Sequence, residues 1–237
     1  MKDDFISTLT HELRTPLTTI RAFSEILLSQ PNADPAQRLK FVTIIAKETE
    51  RLSRLINQVL DLAKIDSGRA EWHVSRLDVE EIVADALAGM GQLFKDKGIV
   101  VETHVESRLP RVKADVDRLI QVLLNLLSNA VKFCEAGKGR IDVTLSRAGA
   151  AVRVDIRDNG PGISPEDQAV IFEKFRQAGD ALTNKPAGTG LGLHISRQII
   201  EHFGGRLWVE SRRGEGACFS FTLPVEARAE DEVRVAG

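Results

Sequence analysis

The sequence predicts a helical hairpin followed by an α/β domain, and three observations carry that reading. Apolar residues recur at spacings of three and four through residues 1–67. A Pro- and Asn-containing break at residues 30–35 divides that run in two. From about Val74 the pattern changes to strands alternating with helices.

Taken in order, residues 2–29 hold no glycine, and Ile6, Leu9, Leu13, Leu17 and Ile20, continued by Phe23 and Leu27, mark one apolar stripe of a first helix. After the break, Asp34 suits a helix cap and Pro35 the first turn of a second helix. Its stripe is near-heptad: Phe41, Ile44, Glu48, Leu52, Leu55, Val59 and Leu62, ending at Asp66-Ser67-Gly68. Two such narrow stripes bury little alone, so the hairpin is expected to dimerise into a four-helix bundle; the alternative is packing on its own chain. Residues 1–67 are thus a first domain, 68–73 a connector, 74–226 a second domain and 227–237 a frayed, charged tail.

The second domain begins with a helix over residues 77–91 and strands over 99–104 and 112–114. A long helix over 116–134 follows, then a hairpin of 140–146 and 152–157 turning at Gly149. A helix over 190–203, stopped by Gly204-Gly205, precedes a last hairpin of 206–211 and 217–223.

Composition narrows the function classes. The chain has 237 residues, 43% of them hydrophobic, which suits one large or two ordinary domains. With 32 basic and 34 acidic residues the net charge is −2, so nothing favours nucleic acid or an anionic membrane as a partner. Cys134 and Cys218 lack metal-type spacing and fit two buried thiols in a reducing compartment. No apolar run approaches the ~20 residues a bilayer span needs, and the N-terminus lacks a signal-peptide pattern. The chain reads as cytoplasmic.

Chemistry concentrates in five stretches. In Thr10-His11-Glu12-Leu13-Arg14-Thr15-Pro16, His11 lies two residues from both Leu9 and Leu13, so it projects away from the stripe into solvent. A neutral imidazole, with a pKa near ~6.5, offers a lone pair to an electrophilic phosphorus. Glu12 can take the proton from the other ring nitrogen, and Thr15 at i+4 shares the face of His11. On the long helix, Asn125, Asn129, Lys132 and Phe133 bring an oxygen ligand suited to Mg²⁺ beside a cation and an aromatic surface; buried asparagines also simply satisfy backbone groups.

Asp158-Asn159-Gly160-Pro161-Gly162-Ile163 follows a strand. A carboxylate there can accept from an exocyclic amino group while Gly160 and Gly162 allow close backbone approach, although Asp-Asn-Gly is also an ordinary turn. Gly188-Thr189-Gly190-Leu191-Gly192-Leu193 runs into a helix, where free N–H groups and the helix dipole receive phosphate. It lacks the spacing and lysine of a Walker loop. Between them, Phe172 and Phe175 read as packing anchors, residues 178–187 as a mobile lid, and Arg176 and Lys185 as cations within reach of phosphate.

In this order the five stretches resemble the sensor histidine kinase family over nearly the whole chain. Residues 11–16 resemble its phosphoacceptor box, 125–133 its asparagine box, 158–163 and 188–193 its two glycine boxes, and 172–175 its phenylalanine box. The resemblance implies a dimerisation and phosphotransfer hairpin joined to an ATP-binding domain of the GHKL type, a mixed sheet under three helices. It implies His11 as phosphoacceptor, Glu12 as its proton acceptor and Thr15 as an aid in placing water during phosphatase action. Asn129 would hold Mg²⁺ with Asn125 nearby; Lys132 and Arg176 would meet phosphate; Phe133, Asp158, Gly160, Gly162 and Ile163 would form the adenine pocket. Gly188, Thr189, Gly190, Leu191, Gly192 and Leu193 would frame the triphosphate.

The implied activity is that of a protein histidine kinase in a two-component system, using ATP and Mg²⁺. It works as a homodimer and passes phosphate to an aspartate of a response regulator receiver domain, with the connector over residues 66–73 as a hinge. Because Met1 stands ten residues before His11, a sensor region is expected outside this chain, and with it any membrane attachment. Two other readings are a scaffold that binds ATP only to set the dimer's shape, and a GHKL ATPase acting on DNA or clients. The phosphoacceptor hairpin separates the first reading from the last.

Overall fold

A computed structural model of the chain describes residues 2–30, 34–176 and 189–225, with side chains from residue 6 onward. The expected lid over 178–187, with Lys185, and Gly188 and the tail lie outside the described residues. Two compact units form: one contains the chain up to Ala70 with residues 189–191, the other residues 71–176 with 192–225.

The first unit is the hairpin of α1 (Lys2–Ser29) and α2 (Pro35–Asp66). Asp34 caps α2 by accepting the Gln37 N–H at 3.3 Å, and Pro35 fills the first turn, where its missing N–H costs nothing. Phe23 packs on Phe41 with ring centroids 5.1 Å apart. The α2 stripe is as expected, with Leu55 and Leu62 buried and its other members half-buried.

The α1 stripe needs a correction. Among the described side chains of α1, Glu12 and Pro16 are the buried ones, while Ile6 and Leu17 are 54% and 53% exposed. At about 100° per residue, Leu9, Glu12, Pro16, Phe23 and Leu27 share one face, and Ile6 and Leu17 stand roughly 85–105° to its side. The apolar surface of α1 is therefore wider than α2 covers.

The second unit is a mixed five-stranded sheet carrying helices. Its elements are β1 (Val74–Leu77), α3 (Val79–Lys97), β2 (Val100–Val105), β3 (Val112–Asp115), α4 (Val116–Phe133), β4 (Arg140–Ala148), β5 (Ala151–Asp158), α5 (Pro165–Val170), α6 (Gly192–His202), β6 (Arg206–Ser211) and β7 (Ala217–Pro224). The sheet runs β2-β4-β5-β7-β6, parallel between β2 and β4 and antiparallel elsewhere; β1 and β3 form a separate two-stranded ladder. Strict alternation along β4 and β5 turns Ile141, Val143, Leu145, Val152, Val154 and Ile156 inward. The core is completed by Leu119, Leu123, Leu126 and Leu127 of α4 and Ile195, Ile199 and Ile200 of α6.

Sequence reading places these elements closely, with three differences, one of which is the short helix α5, capped by Ser164 where no helix was expected. The strand β1 was not expected, and the first helix runs to Lys97, six residues past Gly91, from the Asp78 cap to the left-handed Gly98 at φ 61°. Within the expected connector, Trp72 stacks on His202 at 3.8 Å and meets the edge of Phe203. The His73 N–H donates to Asp115 Oδ2 at 2.7 Å, so these two connector residues are fastened to the second unit. No helix of the described residues is long and apolar enough to cross a membrane.

Candidate functional site

In the first unit, α1 carries His11 outward with its side chain 70% exposed. Glu12, the next residue, is turned toward α2 and is only 9% exposed. Its Oε1 lies 3.9 Å from His11 Nδ1, and its Oε2 lies 3.4 Å from Arg51 Nη2 on α2. Arg51 in turn stands 3.8 Å from Glu48 Oε2, so one guanidinium bridges two carboxylates and fixes Glu12 beside the ring. With Nδ1 turned toward a carboxylate, Nε2 is the nitrogen left to face an electrophile. The Thr15 hydroxyl donates back to the His11 carbonyl at 3.2 Å.

In the second unit, two separate stretches close on α4. At its C-terminal end, a Cβ added to Gly160 would lie 2.8 Å from Asp158 Oδ1 and 3.0 Å from the Phe133 carbonyl oxygen, so only glycine fits between them. Further back along α4, a Cβ on Gly192 would strike Asn125 Oδ1 at 2.2 Å. Asn129, half-exposed, lies between these contact points, which the helical rise sets about 12 Å apart.

Asp158 is 6% exposed and accepts the Gly160 N–H at 2.8 Å. Burial pushes its carboxyl pKa up, while N–H groups of Gly160 and Ala217 pull it back. Lys132 occupies an exposed helix position, yet its ammonium tucks over the Phe133 ring at 4.8 Å, and that burial lowers its pKa. The corner thus pairs a dry acceptor with a partly desolvated cation, a combination suited to a ligand with an N–H edge and an anionic end. The Asn129 side chain carries a neutral oxygen of the kind that could bind a hard divalent cation.

The loop after Asp158 is held from beneath. The Ile163 N–H donates to Ser211 Oγ at 2.8 Å, and Gln168 Nε2 donates to the carbonyls of Ile163 (2.8 Å) and Ser211 (3.0 Å). Gly162 at φ 72° would put a Cβ 2.0 Å from the Arg212 carbonyl oxygen, and Gly216 at φ 79° one 1.9 Å from that of Asp158. Asn159 faces away, accepting the Arg140 N–H at 2.8 Å and donating to the Lys138 carbonyl at 2.9 Å.

The remaining expected residues divide. Phe172 is a packing anchor, edge-on to Phe219 at 6.4 Å. Arg176 turns to Glu173 at 3.3 Å. Thr189, Gly190 and Leu191 belong to the first unit, where Thr189 Oγ1 donates to Gln58 Oε1 and accepts the Leu191 N–H at 3.2 Å; Gly190 has φ 69°. Leu193 is half-buried in the first turn of α6. Asn125, expected near the metal, donates its amide to Ser196 Oγ at 3.0 Å. Sequence reasoning missed Arg51, Ser196, Ser211 and Gly216; of these only Gly216, in Gly214-Glu215-Gly216, carries a local signal, that of a hairpin turn.

Comparison with known proteins agrees with this geometry. Residues 1–68 match the His Kinase A (phospho-acceptor) domain, and residues 114–227 match the histidine kinase-, DNA gyrase B- and HSP90-like ATPase family. Sensor histidine kinase WalK of Bacillus subtilis is 32% identical over 97% of this chain and 38% of its own length. Adaptive-response sensory kinase SasA of Prochlorococcus marinus is 38% identical over 92% of this chain and 57% of its own. The chain thus spans only part of the curated relatives it matches.

Among solved structures, histidine kinase ThkA in complex with response regulator protein TrrA superposes with a TM-score of 0.75 at 28% identity, covering 94% of this chain and 61% of that one. ShkA in complex with AMPPNP gives 0.69 at 33% identity, covering 94% and 46%. The catalytic domain of ThkA, 30% identical, has 97% of its length covered by 64% of this chain, with a TM-score of 0.57. A phospho-acceptor hairpin ahead of an ATPase-type domain, with relatives of one kind along its whole length, places this chain in the sensor histidine kinase family.

Proposed function

We propose that this chain is the ATP-dependent autokinase core of a two-component system. It phosphorylates His11 from ATP, passes the phosphoryl group to an aspartate of a response regulator receiver domain, and also dephosphorylates that regulator. The observation that carries the reading is the exposed His11 ring with Nδ1 facing the buried, Arg51-held Glu12. The ring Nε2 attacks the γ-phosphorus; the P–N bond forms, the bond to the bridging oxygen breaks, and ADP leaves. Glu12 takes the Nδ1 proton, which stops the imidazolium from expelling the phosphoryl group. Thr15 exchanges its bond to the His11 carbonyl for a water during dephosphorylation of the regulator.

Asp158 accepts the adenine amino group, with Gly160, Gly162 and Ile163 shaping the pocket floor and Phe133 its wall. Lys132 and the glycine-rich segment 188–193 receive the phosphates; Arg176 reaches them only by leaving Glu173. Asn129 supplies the protein oxygen for Mg²⁺, an ion that accepts one or two protein ligands and takes the rest from phosphate and water. Bound there, Mg²⁺ would neutralise charge on the transferring group. Ile6, Leu17 and Leu28 on α1, with Leu39, Ile56 and Leu60 on α2, are exposed apolar residues that a second copy would cover in a four-helix bundle. Within the connector the hinge narrows to Glu71, since the Gly68, Arg69 and Ala70 N–H groups bond to carbonyls of Ile65 and Lys64 at the end of α2 and Trp72 and His73 are fastened to the second unit.

The test is transfer of label from γ-labelled ATP with Mg²⁺ to the wild-type chain and to His11→Gln. An acid-labile, base-stable product present in the first and missing from the second is expected. Label that survives in the variant, or is stable to acid, would overturn the assignment.

A further inference from the structure

Asn125 and Asn129 stand four apart on α4, and the resemblance offers both to the nucleotide site. Their surroundings differ. The Asn125 amide donates to Ser196 Oγ at 3.0 Å, and Ser196 is only 2% exposed. The other end of the same amide, Oδ1, lies so close to Gly192 that a Cβ there would meet it at 2.2 Å. Gly192 and Ser196 are also four apart, on one face of α6. The planar amide therefore straddles the first turn of α6, fixing how far that turn stands from α4 and how it is rotated.

We infer that Asn125 is a positioning residue, which through Ser196 and Gly192 holds the first turn of α6 in place for phosphate binding, and is not a ligand of Mg²⁺ or nucleotide. The inference rests on the nucleotide reading above. It gives Gly192 a second reason to be glycine, one of packing against a side chain. It also separates two asparagines that sequence spacing makes equivalent: Asn129 faces the ligand, and Asn125 faces the neighbouring helix.

The experiment is calorimetric titration of the whole chain with a non-hydrolysable ATP analogue across a range of Mg²⁺ concentrations. Wild type, Asn125→Ala, Ser196→Ala, Gly192→Ala and the double variants N125A/S196A and N125A/G192A are compared, with the same set unfolded in urea. One neutral hydrogen bond is at stake, so N125A and S196A should each weaken analogue binding about three- to tenfold. N125A/S196A should bind no more weakly than N125A, because the two residues act as one unit. Gly192→Ala should cost less in the N125A background, where the oxygen it would strike is gone. The Mg²⁺ concentration giving half-maximal binding should stay the same in every variant.

A raised Mg²⁺ requirement in N125A alone, or losses that multiply in N125A/S196A, would overturn the inference. If the wild type bound no adenine nucleotide, the functional reading would fall instead. The urea series then still decides the tether, since absence of coupling between Asn125 and Ser196 there rejects it. Should N125A not fold, S196A against Gly192→Ala carries the same comparison.

Discussion

The His11 face of α1 and the Asp158 corner of the second unit belong to one proposed reaction, yet they are built on opposite plans. His11 stands in the open on a helix, steadied by its neighbour Glu12 and the Arg51 that reaches across from α2. Asp158 is buried, its loop stitched to the β6–β7 turn by Ser211 and Gln168, with glycines wherever backbones nearly touch. Chemistry at the first place depends on one ring; at the second, binding and folding share the same atoms. Substitutions should therefore separate function from stability at His11 and fail to separate them around Asp158.

The largest expected effect is His11→Gln, which should remove all acid-labile phosphorylation. Because the side chain is exposed, the free energy of urea unfolding should change by no more than about 0.5 kcal/mol. A variant that lost phosphorylation by unfolding would break the contrast at its open end.

Next in size is a pair of glycines. Gly162→Ala sets a methyl against the Arg212 carbonyl at a left-handed position, and neither backbone can yield cheaply, so a loss of about 3 kcal/mol is expected together with nucleotide affinity. Gly149 is also left-handed, at φ 61°, but nothing lies within 4 Å of its added Cβ. Ala there should cost only about 1 kcal/mol and leave binding alone. Equal losses at the two sites, by urea unfolding, would show that backbone conformation and not close approach governs the corner.

The same contrast explains what the sequence disclosed. His11 was legible because its helix is local: two residues on either side fix the direction in which the ring points. The stripe beside it was misread at Ile6 and Leu17, because periodicity gives a face but not how wide a partner is, and α2 reaches only as far as Glu12 and Pro16. In the second unit the strands β4 and β5 announced themselves by alternation. The strand β1 did not, since its four residues, Val74–Leu77, carry a serine and an arginine and pair with a strand distant in sequence. The expected end of α3 at Gly91 is not its end, since the helix runs on to Lys97, held by Met90 and Phe94 in the core. The partners that fasten the site, Arg51, Ser196 and Ser211, are ordinary surface types in sequence; only the tertiary fold gives them work.

Arg51→Met carries an intermediate effect. Methionine keeps the apolar stem against α1 but removes the Arg51 ion pair to Glu12, so the carboxylate is held less firmly beside Nδ1. Autophosphorylation should slow about tenfold while nucleotide affinity stays unchanged. A parallel loss of affinity would mean that Arg51 reports on the nucleotide domain and not on His11.

Lys132→Met is the smallest change and the most direct probe of the corner. Burial holds the Lys132 ammonium below its ordinary pKa, so the folded chain binds that proton more weakly than the unfolded chain does. The sign follows from linkage: between the lowered folded pKa and the unfolded value near ~10.4, stability rises with pH, and at neutral pH the charged amine works against the fold. Methionine removes that penalty and keeps the contact with the Phe133 ring. The nucleotide-free variant should therefore unfold at no lower urea concentration than the wild type near pH 7, with the difference shrinking as the pH approaches about 10. Binding of an ATP analogue should weaken several-fold at the same time, because the cation that burdens the empty domain is the one that meets phosphate. If the variant proved less stable at neutral pH and bound the analogue as well as the wild type, Lys132 would be a packing residue, and the corner would lose its proposed anionic end.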